Sequence, residues 1–174
     1  MIRLAAVAGL AALAVAAPSR ASAQEVSPIQ EIPPIGLTAT LSYAIGGELG
    51  LAGDEDKGGS GVSEIEATLG WELESLNLRP EMGIVLGLRP DTNVALRPGV
   101  RWILPRLPLQ IRFALDASDA RDRSLQWRWL LVGVATEVRF TSVLGLFAEV
   151  DTGAPLSSEA GLPLLVRGGA TFRF

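Results

Sequence analysis

The stretch RGGATFRF, residues 167–174, reads with a period of two. Phe174, Phe172, Ala170 and Gly168 fall on one side and continue upstream into Val166 and Leu164, while Arg173, Thr171, Gly169 and Arg167 fall on the other. Successive side chains of a β-strand point to opposite faces, so this is a strand with two chemically different faces. Which face meets which medium decides the fold.

The same alternation recurs upstream. A first strand, about 37–51, sets Leu37, Ala39, Leu41, Tyr43 and Ile45 against Thr38, Thr40 and Ser42. A second, about 63–74, sets Ile65, Ala67, Leu69, Trp71 and Leu73 against Glu64, Glu66, Thr68, Glu72 and Glu74. The third places Met82, Ile84, Leu86 and Leu88 opposite Arg79, Glu81 and Arg89, and the fourth places Val94, Leu96, Val100 and Trp102 opposite Arg97 and Arg101. In the fifth, Leu109, Ile111, Phe113 and Leu115 oppose Gln110, Arg112 and Asp116. The sixth, from about Leu130, has Val132, Val134, Val138 and Phe140 opposite Glu137 and Arg139; the seventh has Leu144, Leu146, Ala148 and Val150 opposite Glu149 and Asp151. The parity slips in LQWRWLLVGV, because Gln126 and Arg128 are out of step with Glu137 and Arg139. A β-bulge near residues 129–131 accounts for this, and so does a strand that begins only at Leu130.

Eight strands are expected to be joined by loops at about 52–61, 90–93, 117–124 and 152–162. Shorter turns are expected near 75–76, 105–108 and 141–142. An even strand count with short turns at one end and longer loops at the other is the pattern of an outer-membrane barrel.

The N-terminus points to export. MIRLAAVAGLAALAVAAPSRASA carries Arg3 near its start, an apolar run of 14 residues from Leu4 to Ala17, and the small-residue site Ala21-Ser22-Ala23. This is the layout of a signal peptide over residues 1–23, with a Pro-bearing lead-in over 24–36 and the barrel over 37–174. Removing residues 1–23 from the 174-residue chain leaves 151 residues, with 13 basic and 19 acidic side chains, a balance that argues against a nucleic-acid partner. Cysteine is absent, so the exported chain holds together without disulfides, and histidine is absent too, which removes the commonest general base. Mean hydropathy is +0.33, yet nothing after residue 23 is long and apolar enough for a membrane helix. The remaining way for such a chain to span a membrane is a closed barrel.

Alternation alone does not say which face is inside. An eight-stranded barrel has an interior just wide enough for packed side chains, too small for all the Leu, Ile, Val, Phe and Trp of the apolar set. The charged set is interspersed with glycines such as Gly70, Gly83, Gly87, Gly99, Gly133 and Gly145, which leave room in a narrow interior. The apolar set contains no charged residue, as a lipid-facing surface requires. Near the ends of strands two, four, six and eight it carries Trp71, Trp102, Phe140, Phe172 and Phe174, a ring of aromatics at one interface. The expected fold is therefore an all-β, eight-stranded, antiparallel up-and-down transmembrane barrel with its apolar face outward. A chain with an export signal, eight alternating strands and a terminal Phe resembles the OmpA/OmpX-like group of small outer-membrane barrels. That resemblance implies an outer-membrane location and a C-terminal strand, 164–174, read by the assembly machinery. The resemblance covers residues 37–174, so the role of OmpA's periplasmic cell-wall-binding domain is not carried over.

Inside such a barrel stand Glu64, Glu66, Glu72, Arg79, Glu81, Arg97, Arg101, Arg112, Asp116, Glu137, Arg139, Glu149, Arg167 and Arg173. Acidic strand two, mixed strand three and basic strand four are neighbours, so cross-strand ion pairs are expected. Arg suits them because its planar fork bonds carboxylates bidentately. The expectation is a structural plug in a monomeric, lipid-embedded protein that is not an enzyme and takes no cofactor or metal. A narrow gated pore is the alternative, with a soluble lipocalin-like carrier behind it if the faces are inverted. The acidic triplet Asp54-Glu55-Asp56 and the charges Asp119, Arg121, Asp122 and Arg123 read as solvated loops.

Overall fold

The computed structural model describes residues 36–49, 60–119, 125–158 and 160–174. The expected signal peptide, all of the lead-in but Gly36, and the acidic triplet lie outside these residues. Eight strands are formed: β1 (Leu37–Leu49), β2 (Gly61–Trp71), β3 (Leu78–Arg89), β4 (Asn93–Ile103), β5 (Leu109–Asp119), β6 (Leu125–Arg139), β7 (Leu144–Pro155) and β8 (Leu162–Arg173). Each pairs antiparallel with its neighbour in sequence, and β8 pairs with β1 to close the barrel. Closure leaves no strand edge exposed. It runs from Thr38 opposite Arg173 to Leu49 opposite Leu162, and the Phe174 N–H donates to the Leu37 carbonyl at 3.0 Å.

Burial follows the expected period. Along β3, Arg79, Glu81, Gly83, Val85 and Gly87 are buried while Met82, Ile84, Leu86 and Leu88 are exposed. The outward Leu41, Leu69 and Ile84 are 55%, 61% and 58% exposed, so the large aliphatic side chains cover the outside of the barrel. Away from the strand ends, no outward side chain carries a charge among the described residues.

Strand boundaries depart from the sequence reading in three places. β2 ends at Trp71 rather than near Glu74, because Pro80 of β3 has no N–H to pair there. Pairing of β2 with β3 runs to Gly70 opposite Glu81 and reappears as the isolated bridge Leu73–Leu78, around a 3₁₀ turn over Glu74–Leu76. Asn77 closes that turn in the left-handed region, φ 53°, which asparagine tolerates. Second, β5 and β7 run on to Asp119 and Pro155, into segments expected to be loop. Third, the contrast in loop length is weaker than expected. Connections 72–77, 104–108 and 140–143 lie at one end, called here the turn end. At the opposite end, called here the loop end, the connection 90–92 is shorter than any turn-end connection, and residues 50–59, 120–124 and 159 lie outside the described residues.

The parity slip in β6 is a bulge within a continuous strand, not a late strand start. Asp116 pairs with Trp129 and Ala117 with Trp127, which leaves Arg128 as the extra residue. The irregularity lies just N-terminal to the span expected for it.

Candidate functional site: the charged interior

Among the described residues, six arginines and six carboxylates are buried, all pointing into the barrel. The strands fix their positions through register. Arg97 on β4 stands opposite Gly83 on β3, and Glu66 on β2 stands opposite Val85. A Cβ on Gly83 would lie 2.5 Å from Glu66 Oε1 and 3.4 Å from Arg97 Cβ. The missing side chain therefore leaves the gap through which β2 and β4 exchange an ion pair across β3.

Arg97 is fully buried and binds three carboxylates. Its Nη1 lies 2.6 Å from Glu64 and 2.8 Å from Glu66, and its Nη2 lies 2.6 Å from Asp116. Arg167 of β8 reaches across the interior to Glu66 at 2.5 Å and Glu64 at 2.8 Å, and turns its Nε to Asp151 at 3.1 Å. Arg112 of β5 pairs with Glu66, with Glu81 at 2.6 Å and with Glu149 at 3.3 Å. Arg101 joins Glu149 at 2.5 Å to Glu81 at 3.3 Å, and its guanidinium lies 5.8 Å from the Phe147 ring. Glu66 thus collects Arg97, Arg112 and Arg167, and Thr68 donates to it as well. Nearer the turn end, Arg173 pairs with Glu137 at 2.6 Å and Glu72 at 3.4 Å, and Arg79 with Glu72 at 3.5 Å. Gln110 donates to Glu137 at 2.8 Å.

Thirteen of the fourteen charged residues expected inside meet in this network. Arg139 does not enter it. Its side chain is 53% exposed at the turn-end rim and only approaches Glu72, at 4.0 Å. Ionised groups out of water cost several kcal/mol each unless paired. Every buried arginine and carboxylate in this arrangement has an opposite charge within 4.0 Å, although Arg79 Nε, Glu81 Oε1, Arg112 Nε, Asp151 Oδ1 and two nitrogens of Arg173 make no hydrogen bond among the described residues. Chemically it is a set of neutralised pairs rather than a free acid, base or nucleophile. Ser42, a second inward hydroxyl at the network, donates to the Glu66 carbonyl and accepts from Arg167.

Several interior residues were not named as part of the site. Asp151 is fully buried against Arg167. Glu48 and Arg128 form an ion pair from β1 to β6 at the loop end. Trp129, only 1% exposed, points inward beside Leu131 and Ala114, with Ala160 packed on them. Its indole N–H donates to the Gly161 carbonyl at 3.1 Å, and the Arg128 guanidinium lies 4.0 Å from its ring. The signal for Trp129 was its parity, in step with the inward Gly133 and Glu137 and on their side of the slip.

The five aromatics expected to form a ring sit at the turn end and are outward, from 41% exposed at Phe172 to 61% at Phe140. Trp71 stands opposite Leu37, Trp102 opposite Leu78 and Phe172 opposite Leu144, the first residues of their strands.

No family model and no curated protein matches the chain. Solved structures do. The crystal structure of Neisserial surface protein A is similar at 12% identity and a TM-score of 0.51, over 80% of this chain and 97% of that one. The N-terminal β-barrel domain of Pseudomonas aeruginosa OprF is similar at 11% identity and a TM-score of 0.49, over 81% and 99% respectively. With eight antiparallel strands closed in sequence order, the chain folds as an OmpA/OmpX-like barrel.

Proposed function

We propose that the chain is an integral protein of a Gram-negative-type outer membrane with a structural or surface role, its interior permanently filled by Arg–carboxylate pairs. The observation that carries this is the inversion of the usual distribution. Every buried charge is inside the barrel, while side chains as large as Leu69, Ile84 and Phe140 cover its outside. In water that exterior would drive aggregation, because exposed apolar patches beyond a few hundred Å² are rare on soluble monomers. In lipid it is the favourable arrangement, and an uncharged outer face avoids the cost of about 2–4 kcal/mol for Arg or Lys at the bilayer midplane. The turn-end aromatics then sit at one membrane interface. A lipocalin-like carrier needs the opposite arrangement, an apolar cavity inside a polar shell.

Export after cleavage of residues 1–23, insertion as a monomer, and recognition of strand 164–174 by the assembly machinery belong to the same reading. Plugging follows from the arginines that reach across the interior, such as Arg167 to Glu64 and Glu66. Any open path requires these pairs to exchange partners.

The test is gel mobility of the detergent-extracted membrane fraction with and without boiling, followed by planar-bilayer recording. The expected result is a heat-dependent shift and no steady conductance. A soluble periplasmic protein without a shift overturns the membrane reading, and a steady open current overturns the plug.

A further inference from the structure

The two ends of the interior are closed differently. At the turn end the inward groups are polar: Arg79, Gln110, Glu137 and Arg173, with a cleft of about 170 Å³ reaching Glu72 and Arg139 at the rim. At the loop end an apolar layer of Trp129, Leu131 and Ala114 stands inside the barrel.

The β6 bulge lies at the loop-side edge of that layer. Trp127 and Trp129 are two residues apart and would share a face on an uninterrupted strand. Trp129, 1% exposed, is in phase with the inward Leu131, Gly133 and Ala135, and the extra residue Arg128 sends Trp127 outward instead, 51% exposed. A bulge that re-aims one side chain is a recurrent structural device. Two groups hold the indole, and a third holds them. Gly161, in the connection before β8, accepts its N–H; Arg128 lies against its ring; Glu48 of β1 holds Arg128 and accepts the Gly161 N–H at 3.4 Å.

We propose that Trp129, beside the bulge at Arg128, is an apolar roof over the ion-pair network, so that water reaches the charged interior from the turn end alone. This rests on the closed-barrel reading above. Water kept off the loop end preserves the low dielectric in which the pairs attract strongly. The fastening is more exposed than the network: the Arg128 side chain is 24% exposed and that of Glu48 12%, against 0% for Arg97 and Arg167. The roof is thus the part of the interior that can be released without separating the buried pairs.

The chain contains no cysteine, so a single one reports access cleanly. Ala114→Cys places a thiol beneath the indole, where a small side chain already packs. In the folded, heat-shifting barrel this thiol should react slowly with a water-soluble thiol reagent. Adding Trp129→Ala should raise the rate by about tenfold or more, as expected when a locally closed site opens. Adding Phe147→Ala, which removes an inward ring beside Arg101 instead, should leave the rate unchanged. If Trp129→Ala abolishes the gel shift, Glu48→Gln in the Ala114→Cys background takes its place, with a smaller rise expected. An unchanged rate in a folded roof variant, or fast labelling of folded Ala114→Cys alone, overturns the roof and leaves the membrane barrel standing. Absence of the gel shift in the unsubstituted chain overturns both.

Discussion

Glu66 receives three guanidinium groups, so its removal leaves Arg97, Arg112 and Arg167 short of a partner at one stroke. Breaking a buried pair by deleting one member costs about 3–5 kcal/mol, because the other charge stays buried without compensation. Glu66→Ala should lower stability by that order in urea unfolding of the barrel in lipid vesicles. Arg139→Ala, at a half-exposed rim position 4.0 Å from Glu72, should cost less than about 1 kcal/mol in the same assay. Equal losses for the two would mean that the interior is hydrated throughout. Residue type and parity in the sequence already marked Glu66 as an interior carboxylate. They did not disclose that it is the hub, because its partners come from β4, β5 and β8, and only closure brings those strands within reach. Asp151 pairs with Arg167 of the adjacent strand β8 and needs no closure; parity alone placed it on the inward face.

At the scale of the element, the outward and inward sets of each strand were legible because one face is apolar without a break. Ile84, in the middle of β3 and 58% exposed, belongs to that face. Ile84→Arg should destabilise the barrel by about 2–4 kcal/mol in vesicles, while the same change at a rim position costs about 0–1 kcal/mol. No difference between the two positions would argue that β3 does not cross a hydrocarbon layer. What periodicity could not decide was β6, since a bulge and a late strand start produce the same slip in parity. The bulge prevails because it lets β5 and β6 stay paired to Asp119 opposite Leu125. Strand ends were the least legible. Pro80 ended the β2–β3 ladder early through an N–H missing from the partner strand, which β2's own pattern does not report.

The described residues form a barrel turned inside out relative to soluble proteins, with paired charge within and aliphatic and aromatic surface without. Composition and alternation carried the fold this far, and the volume of an eight-stranded interior decided the faces. Residues 50–59 and 120–124, most of them expected from the sequence to be loop, lie outside the described residues. The inversion can be read from the tryptophans, since Trp71 and Trp102 are outward while Trp129 is inward. Variants retaining one tryptophan each, the others changed to Phe, can be folded into vesicles of lipid with brominated acyl chains. Fluorescence of the Trp71 and Trp102 variants should be strongly quenched by bromine, and that of the Trp129 variant should match its value in unbrominated lipid. Quenching of Trp129 with Trp71 and Trp102 spared would reverse the faces and contradict the membrane barrel.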